Sequence, residues 1–167
     1  MIKTIIVATA SNNAIGKNND MLWHLPDDFK FFKRTTLDHM MILGRKTFDS
    51  LPSMLPRRTL VIVTRQKDYE APEGHYVAHS LDEALAICKQ ANAKETFIAG
   101  GGAIYKESLE KGLVSKMLIT EVQASFEDAE IYFPEYEKSE WQETQREHHS
   151  SDDRHKYAFD FVTYEKK

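Results

Sequence analysis

Short apolar runs rich in β-branched residues recur along this chain and alternate with stretches that have helical features. The first run, residues 4–9 (TIIVAT), is what a strand buried on both faces requires. Strands that alternate with helices predict a mainly parallel sheet covered on both sides. Near the C-terminus, two segments alternate polar and apolar residues, which predicts an antiparallel pair at the edge of that sheet. The predicted strands are residues 4–9, 40–43, 60–63, 75–78, 96–99, 117–122, 141–146 and 156–164.

The length of the chain limits the number of domains that it can form. The 167 residues suit one domain that can bury a full core, and no repeat or composition break marks a linker. We therefore predict an α/β fold with a single domain over residues 1–167. It is a three-layer α/β/α structure whose central sheet of about eight strands is mainly parallel. An antiparallel strand lies at its C-terminal edge, and about four helices flank it.

Composition restricts the partners and the compartment. Hydrophobic content of 41% and charged content of 29% are ordinary for a soluble globular protein. The net charge of −4 argues against nucleic acid or an anionic membrane as a partner. No apolar run approaches membrane-spanning length, and residues 1–3 lead straight into the first strand, so we expect no signal peptide. Cys88 is the single cysteine, which excludes an internal disulfide, and no helix has a spare apolar face. We expect a cytoplasmic monomer.

The segment of residues 14–34 (AIGKNNDMLWHLPDDFKFFKR) begins as a polar loop and continues as a helix. Pro26 suits the first helical position, and Asp27 and Asp28 follow in the first turn, where the helix dipole favours carboxylates. Asp28 and Phe32 are four residues apart and share a face, with Phe29 beside them. A carboxylate among aromatic rings indicates a site for an amidine-like head on a flat apolar body.

Two predicted strands run into glycine and then a helix. Such a turn presents free backbone N–H groups to an anion. The first turn is Gly44, followed by Arg45, Lys46 and Thr47, and the second is three glycines at residues 100–102 before a helix that starts near Ala103. The second is not the Rossmann fingerprint, because its glycines are contiguous and no acidic residue follows about twenty positions later.

Two other features are interpreted as structural. Ser80 with Glu83 predicts a capping box that opens a helix. The buried stripe of that helix consists of Leu81, Ala84, Leu85 and Cys88. A polar group near the C-terminus superficially resembles a metal site, but its spacing fits no standard zinc pattern, so we interpret it as a solvated turn and predict no metal. Its members are His148, His149, Asp152, Asp153 and His155.

The string Trp23-x-Leu25-Pro26-x-Asp28, followed by Phe32-Lys33 and Thr36, resembles the substrate-binding segment of dihydrofolate reductase. The resemblance extends in order from Ile5 to about Tyr164. The matching positions include Ala8, Ile15-Gly16, Gly44-Arg45-x-Thr47, Leu55-Pro56, Arg58, Gly100 to Gly102 with Ile104-Tyr105, Thr120 and Phe133-Pro134.

The resemblance implies NADPH-dependent reduction of 7,8-dihydrofolate, with hydride transfer to C6 and protonation at N5. Asp28 would accept hydrogen bonds from the pterin. Thr120 would help orient Asp28 through the pterin amino group and a bound water. Arg58 would bind the glutamate α-carboxylate of the substrate. The implied catalytic residues are Asp28, Trp23, Leu22 and Thr120. The implied substrate-binding residues are Ile6, Val7, Ala8, Asp28, Phe29, Phe32, Leu51, Leu55, Arg58 and Thr120.

The resemblance also implies an NADPH site. Arg45 and Arg65 would hold the 2′-phosphate, and residues 39–91 would form an approximate adenosine-binding lobe within the domain. The implied cofactor-binding residues are Ala8, Ile15, Gly16, Gly44, Arg45, Lys46, Thr47, Thr64, Arg65, Ala99, Gly100, Gly101, Gly102, Ala103, Ile104 and Tyr105.

The loop of residues 11–22 is predicted to be a mobile lid over the nicotinamide, because its polar residues bury little and Met21 and Leu22 can cap an apolar ring. In the family an acid on a distant loop latches the lid. Here Glu130 is the candidate and Asp128 its rival, because this segment is longer than the usual pattern. Arg57 stands where many members have glycine, which leaves the local loop geometry open.

Two alternatives are a pyrimidine reductase of riboflavin synthesis, which shares the fold and the cofactor, and a nucleotide-binding module without catalysis. The first has no reason to carry Trp23-x-Leu25-Pro26-x-Asp28. The second has no reason to retain Asp28, Thr120 and both glycine turns.

Overall fold

The computed structural model describes residues 1–17 and 22–167. In this part of the chain, eight strands form one sheet in the order β5-β4-β3-β6-β1-β7-β10-β9, and β2 and β8 form a separate two-stranded sheet. The strands are β1 (Ile2–Ala10), β2 (Ala14–Gly16), β3 (Met40–Gly44), β4 (Thr59–Val63), β5 (Tyr76–Ala78), β6 (Glu95–Ile98), β7 (Lys116–Val122), β8 (Ile131–Tyr132), β9 (Trp141–His149) and β10 (Phe159–Lys166). The helices are α1 (Pro26–Thr36), α2 (Arg45–Asp49), α3 (Leu81–Gln90) and α4 (Gly102–Glu110), with a single 3₁₀ turn at Lys138–Glu140.

The predicted fold class is confirmed. Strand β1 lies at the centre, parallel to β6 and to β7, with Ile5 opposite Ile98 and Ala8 opposite Thr120. Strand β10 is antiparallel to β7 and to β9, and β9 is the outermost strand at this edge. Strand β9 continues to His149, and β10 begins only at Phe159, later than predicted, because a bend at residues 156 and 157 follows the turn closed by Asp152 and His155.

The helices cover both faces of the sheet. On one face, the buried stripe of α3 and Tyr105 of α4 pack against Ile5, Ile42 and Ile119. On the other face, phenylalanines of α1 and α2 pack against Ile6, Met41, Leu43 and Leu118. Because adjacent residues of a strand point to opposite faces, each central strand contributes to both cores. This is the predicted three-layer arrangement.

The start of α3 follows the prediction except in one bond. Ser80 caps the helix, and its hydroxyl accepts a hydrogen bond from the N–H of Glu83 at 3.0 Å. The carboxylate of Glu83 accepts from the N–H of His79 at 2.8 Å rather than from that of Ser80. The reciprocal bond therefore closes one residue earlier than in the predicted capping box.

Strand β2 lies within the segment that the sequence indicates to be a loop. It forms because β8 pairs with it, with Ala14 opposite Tyr132 and Gly16 opposite Ile131. Neither strand has a strong strand pattern of its own, so this small sheet was not predicted. Residues 18–21 of the predicted lid, Met21 among them, lie outside the described residues. No helix within the described ranges is long and apolar enough to span a membrane.

Candidate active site

A buried carboxylate lies where α1 crosses the central strands. Asp28 is 9% exposed, and its Oδ1 accepts a hydrogen bond from the Thr120 hydroxyl at 2.7 Å. Burial raises the pKa of Asp28 to about 6, and the bond from Thr120 opposes that rise. The sequence predicted that Thr120 would act on Asp28 through ligand and water, whereas the structure shows direct contact between the two side chains.

Local sequence places Asp28 at this point. Pro26 occupies the first helical position, as predicted, and the carbonyl of Leu25 accepts hydrogen bonds from the N–H groups of Asp28 (3.0 Å) and Phe29 (3.2 Å). Leu25 itself is fully buried and anchors the start of the helix. Thr120 lies on β7, directly beside Ala8 of β1, so the carboxylate faces the middle of the sheet.

Apolar side chains from several elements surround this position. Phe32, Leu51 and Leu55 pack against the cluster that contains Ile6. Phe29 is instead 43% exposed and contacts the ring of His24. These four predicted pocket residues therefore divide into three that pack on the sheet and one that faces outward.

Trp23 and Leu22 precede α1 and pack together with Ala8 in the cluster next to Asp28. Trp23 is 7% exposed, its ring lies 5.6 Å from that of Phe126, and its Nε1–H has no hydrogen-bond partner within the described ranges. A buried donor without a partner is costly, so this N–H is available to a ligand. The side chain of Val7 packs into the opposite face of the sheet, so only its backbone faces the cleft, the name we use for the region of Asp28, Arg58 and the two glycine turns.

Arg58 is the second buried charge of this region. It is 6% exposed, its Nε donates to the carbonyl of Pro56 at 3.0 Å, and its Nη1 donates to the hydroxyl of Thr36 at 3.4 Å. Burial lowers the pKa of Arg58. No carboxylate in residues 1–17 or 22–167 forms an ion pair with it. A carboxylate of a ligand would supply the missing partner.

The two predicted glycine turns meet at one end of the sheet. The N–H of Gly44 donates to the carbonyl of Gly100 at 3.0 Å. A Cβ atom added at Gly101 would lie 3.1 Å from the hydroxyl of Thr47, and one added at Gly102 would lie 3.2 Å from Ile131. A side chain at either position would require these neighbours to move by a few tenths of an ångström, so glycine suits this close approach. Helix α4 starts here without a side-chain cap in the described part of the chain. The N–H groups of Ile104 and Tyr105 donate to the carbonyl of Gly101, which leaves those of Gly102 and Ala103 as donors for an anion.

Positive charge lies near the same end of the sheet, on the surface. Arg45 bonds to Asp49 and to Gln66, and its guanidinium lies 5.8 Å from the centre of the Tyr69 ring. Lys46 and Arg65 are exposed. Thr64 is buried, and its hydroxyl accepts the N–H of Gln66 at 3.1 Å.

The other predicted cofactor residues are distributed around these turns. Ile15 and Ile104 pack on the core beneath α3 and α4, and Gly16 is buried in the small sheet. The hydroxyl of Tyr105 donates to the carbonyl of Ile6 at 2.9 Å, and burial raises the pKa of Tyr105. Ala99 donates its N–H to the carbonyl of Ile42 at 2.9 Å and packs on the cluster that contains Ile6, and Ala103 is exposed on α4.

The predicted lid begins with described contacts to the segment of residues 122–130. Side-chain amide atoms of Asn12 pair with the backbone of Phe126 at 3.0 and 3.4 Å. Lys17 forms an ion pair with Asp128 at 2.7 Å, and the N–H of Glu130 donates to the carbonyl of Gly16 at 2.9 Å. Both candidate acids therefore lie beside the segment. The lid itself, and the choice of latch between Glu130 and Asp128, stay predictions.

Two residues outside the predicted set prove to be structurally important here. His155 is 1% exposed and bonds to the N-terminus of α1, so its interpretation as part of a solvated turn is wrong. Its partner lies 128 residues away, and no local pattern could have indicated the contact. Phe31 was not singled out, and it stacks on Phe161 at 4.3 Å, holding α1 against β10. The alternation of Phe161 on its strand was the only signal for that contact.

Two further features do not belong to the cleft. Within the described ranges, no group of three or more His, Cys, Asp or Glu side chains is placed to hold a metal ion. A cavity of about 360 Å³ is lined by Thr9, Ile119 and Glu121 among others. These strand residues alternate with Ala8 and Thr120, so the cavity lies on the face of the sheet opposite Asp28.

Comparison with known proteins places these features in a family context. The family model described as dihydrofolate reductase matches residues 1–166. The type 3 dihydrofolate reductase of Salmonella typhimurium is 40% identical over 163 residues, covering 98% of this chain and 97% of that protein. The dihydrofolate reductase of Neisseria gonorrhoeae is 45% identical over 144 residues, covering 86% and 85% of the two chains. A solved structure of the Enterococcus faecalis dihydrofolate reductase, complexed with NADP(H) and RAB-propyl, superposes with a TM-score of 0.90 at 34% identity, covering 99% and 96%.

Proposed function

Because this chain belongs to the dihydrofolate reductase family, we propose that Asp28 is the group that holds the pterin ring of its substrate. The reaction is the NADPH-dependent reduction of 7,8-dihydrofolate to 5,6,7,8-tetrahydrofolate, which supplies one-carbon metabolism. NADPH supplies the hydride that reaches C6, and a proton reaches N5. The observation that carries the assignment of Asp28 is its burial together with its bond to Thr120.

The chemistry of Asp28 suits a pterin. Its carboxylate accepts hydrogen bonds, and the 2-amino group and neighbouring ring nitrogen of the pterin form a planar pair of donors when that nitrogen carries a proton. Burial strengthens this electrostatic pairing, because little water competes for the oxygens. The hydroxyl of Thr120 occupies one side of Oδ1 and so fixes the direction in which the carboxylate faces. Asp28 acts in this proposal as a positioning and electrostatic group.

The remaining substrate contacts follow from the surroundings. Phe32, Leu51 and Leu55 present an apolar wall on which the pterin and aminobenzoyl rings can lie. Arg58 is the proposed partner of the glutamate α-carboxylate, because it is a buried guanidinium with hydrogen bonds but no ion pair in the described part of the chain. A fork-shaped donor and a carboxylate match geometrically.

The glycine turns fit the cofactor. We assign the pyrophosphate region to Thr47 and to the three glycines at residues 100–102, where the absence of Cβ atoms suits the close approach to Thr47 and Ile131 and Gly100 has a positive φ of 122°. Free N–H groups at the start of α4 add donors for a phosphate. Arg45 and Arg65 are the proposed partners of the 2′-phosphate, with Lys46 beside them.

Three further assignments concern the adenosine-binding lobe, the cellular location and the oligomeric state. Residues 39–91 would form the adenosine-binding lobe, which is supported by the positions of Arg45, directly after β3, and Arg65, two residues after β4. We propose a cytoplasmic location, since Cys88 is a buried, unpaired thiol. We also propose a monomer, since α1 and α3 both pack their apolar faces on the sheet. Light scattering of the purified protein tests the last point.

The experiment that tests the assignment of Asp28 is the pH profile of Asp28→Asn, followed by the loss of absorbance of NADPH and dihydrofolate. Turnover at neutral pH should fall by orders of magnitude and should partly recover in acid, where more substrate is already protonated at N5. The matched control is Asp82→Asn, which changes a first-turn aspartate of α3 and should keep turnover within about threefold. A variant at position 28 with a wild-type rate at neutral pH would show that another group does this work.

A further inference from the structure

We propose that His155 is a positioning residue for the reaction, because it caps helix α1 and thereby fixes the turn that carries Asp28. The inference rests on the proposed role of Asp28 in binding the pterin. It assigns a role to a side chain that lies outside the cleft and does not touch Asp28.

Helix α1 has no cap of its own. Leu25 occupies the cap position and provides no side-chain hydrogen bond. The N–H groups of Asp28 and Phe29 bond back to the carbonyl of Leu25, but the N–H of Asp27 has no partner within the helix. That N–H donates instead to Nε2 of His155 at 3.1 Å. His155 thus does from 128 residues away what a serine or aspartate cap does locally.

The bond from Asp27 fixes the tautomer of the imidazole. Because Nε2 accepts a hydrogen bond from a backbone N–H, it carries no proton, and the ring proton is on Nδ1. Nδ1 lies 2.8 Å from Oδ1 of Asp152 and donates to it. The same oxygen accepts the N–H groups of Arg154 (2.9 Å) and His155 (2.8 Å), so one carboxylate holds both the turn and the ring.

The surroundings keep the imidazole in place. His155 is 1% exposed, and its ring lies 5.3 Å from the buried ring of Phe159 at the start of β10. The carboxylate of Asp27 lies 3.8 Å from Nε2 and 3.7 Å from the guanidinium of Arg154. The first turn of α1 is therefore attached to the turn of residues 152–155 by a partly buried hydrogen bond and by the charges of Asp27 and Arg154.

The consequence concerns the residue next to Asp27. Asp28 binds Thr120 only while the first turn of α1 is formed, since a frayed turn would move its carboxylate away from β7. Loss of a helix cap raises the population of frayed turns by roughly tenfold. His155 thus couples the turn before β10 to the position of the carboxylate that faces the substrate.

The test compares His155→Phe, which keeps a ring against Phe159 but removes both bonds, with His155→Gln, whose amide oxygen can still accept from Asp27. The matched control is His149→Phe, because His149 also stacks on Phe159, at 5.0 Å, and no hydrogen bond, ion pair or ring contact joins it to α1 in the described part of the chain. Amide hydrogen exchange of Asp27 and Asp28 should become about tenfold faster in His155→Phe. Exchange in His155→Gln and His149→Phe should remain close to wild type.

Kinetics and spectroscopy separate positioning from mere stabilisation. His155→Phe should raise KM for dihydrofolate several-fold and leave KM for NADPH unchanged, with rescue in His155→Gln.

In wild-type protein, ¹⁵N spectra of the imidazole should show a protonated Nδ1 and an unprotonated Nε2. The opposite tautomer overturns the inference even if His155→Phe does not fold. Unchanged exchange at Asp27 and Asp28, or equal changes in KM for both ligands, also overturns it. The exchange and ¹⁵N results decide the cap without reference to the role of Asp28, which Asp28→Asn tests separately.

Discussion

The two halves of the cleft differ in how deeply their charged side chains are buried. On the proposed substrate side, Asp28 and Arg58 are both almost completely buried. On the proposed cofactor side, Lys46 and Arg65 are exposed, and Arg45 bonds to neighbours at the surface. A buried charge is costly until a partner arrives, so it discriminates strongly between ligands. An exposed charge is solvated and screened by salt, so it contributes less to binding but attracts an anion over a distance.

This difference follows from where each charge lies on the fold. Asp28 is on a helix that crosses the middle of the sheet, and its neighbour Thr120 is on a central strand. Arg45 and Arg65 follow the ends of β3 and β4, near the edge of the sheet. The fold therefore places Asp28 at its centre and Arg45 and Arg65 nearer its margin. Arg58 also lies near that margin, directly before β4, but it is buried and donates hydrogen bonds to Pro56 and Thr36.

The largest expected effect on ligand binding is the loss of dihydrofolate affinity in Arg58→Ala. Removal of one partner from a buried, hydrogen-bonded charge pair weakens binding by roughly 2–5 kcal/mol, so dihydrofolate affinity should fall at least about thirtyfold. NADPH affinity should change little. Equilibrium titration of each ligand measures both.

Arg57, next to Arg58 in the chain, supplies the control for Arg58→Ala. Arg57 is exposed and pairs with Asp38 through two hydrogen bonds of 3.0 and 2.6 Å. Arg57→Ala should leave dihydrofolate affinity nearly unchanged. If both variants lose affinity for NADPH rather than for dihydrofolate, the substrate side has been assigned to the wrong end of the cleft.

The next effect is on stability and depends on pH. The pKa of Asp28 in the folded protein is about 6, above the ordinary value of 3.8. This raised pKa means that ionisation of Asp28 opposes folding. The cost is absent below about pH 3.8, where the carboxyl is neutral in both states, grows as pH rises and is complete above about pH 6. Its full size is on the order of 3 kcal/mol.

Asp28→Asn should therefore unfold with a higher free energy than wild type at pH 7.5, by up to about 3 kcal/mol. The gain should shrink towards zero near pH 4. Urea unfolding at several pH values measures this difference. A gain that is constant with pH would mean that the charge of Asp28 is not its cause.

The smallest effect is expected on the cofactor side. Arg45→Ala and Arg65→Ala should each weaken NADPH binding by about tenfold, because a hydrogen bond to a charged phosphate is strong but these arginines are solvated. NADH lacks the 2′-phosphate, and its affinity should change little. Both losses should become smaller at high salt. Equal losses for the two cofactors would place these arginines elsewhere.

Local sequence predicted much of this fold and less of its long-range contacts. Helix α3 was predictable down to its cap, because Ser80 lies next to the turn that it stabilises. The cap of α1 was not predictable, because His155 meets that helix only through the tertiary fold. Likewise, Asp28 was identified from its segment, whereas its direct bond to Thr120 depends on strand register.

The loop around Arg57 gives a related lesson. The sequence left its geometry open because glycine is usual there in the family. The structure shows left-handed backbone at both Arg57 (φ 60°) and Asp38 (φ 64°). Their side chains bond to each other, and the N–H of Asp38 donates to the carbonyl of Arg57 at 2.7 Å. Paired side chains thus accompany a backbone conformation that glycine would adopt more readily.

The contrast between the two halves of the cleft depends most directly on the ionisation of Asp28. The carboxyl ¹³C signals of protein with labelled aspartate can be followed against pH without ligand, with Asp28→Asn to assign the resonance. The account predicts a titration of Asp28 with a midpoint near 6. A midpoint at or below the ordinary value of 3.8 would show that the folded protein does not disfavour this charge, and would contradict the account.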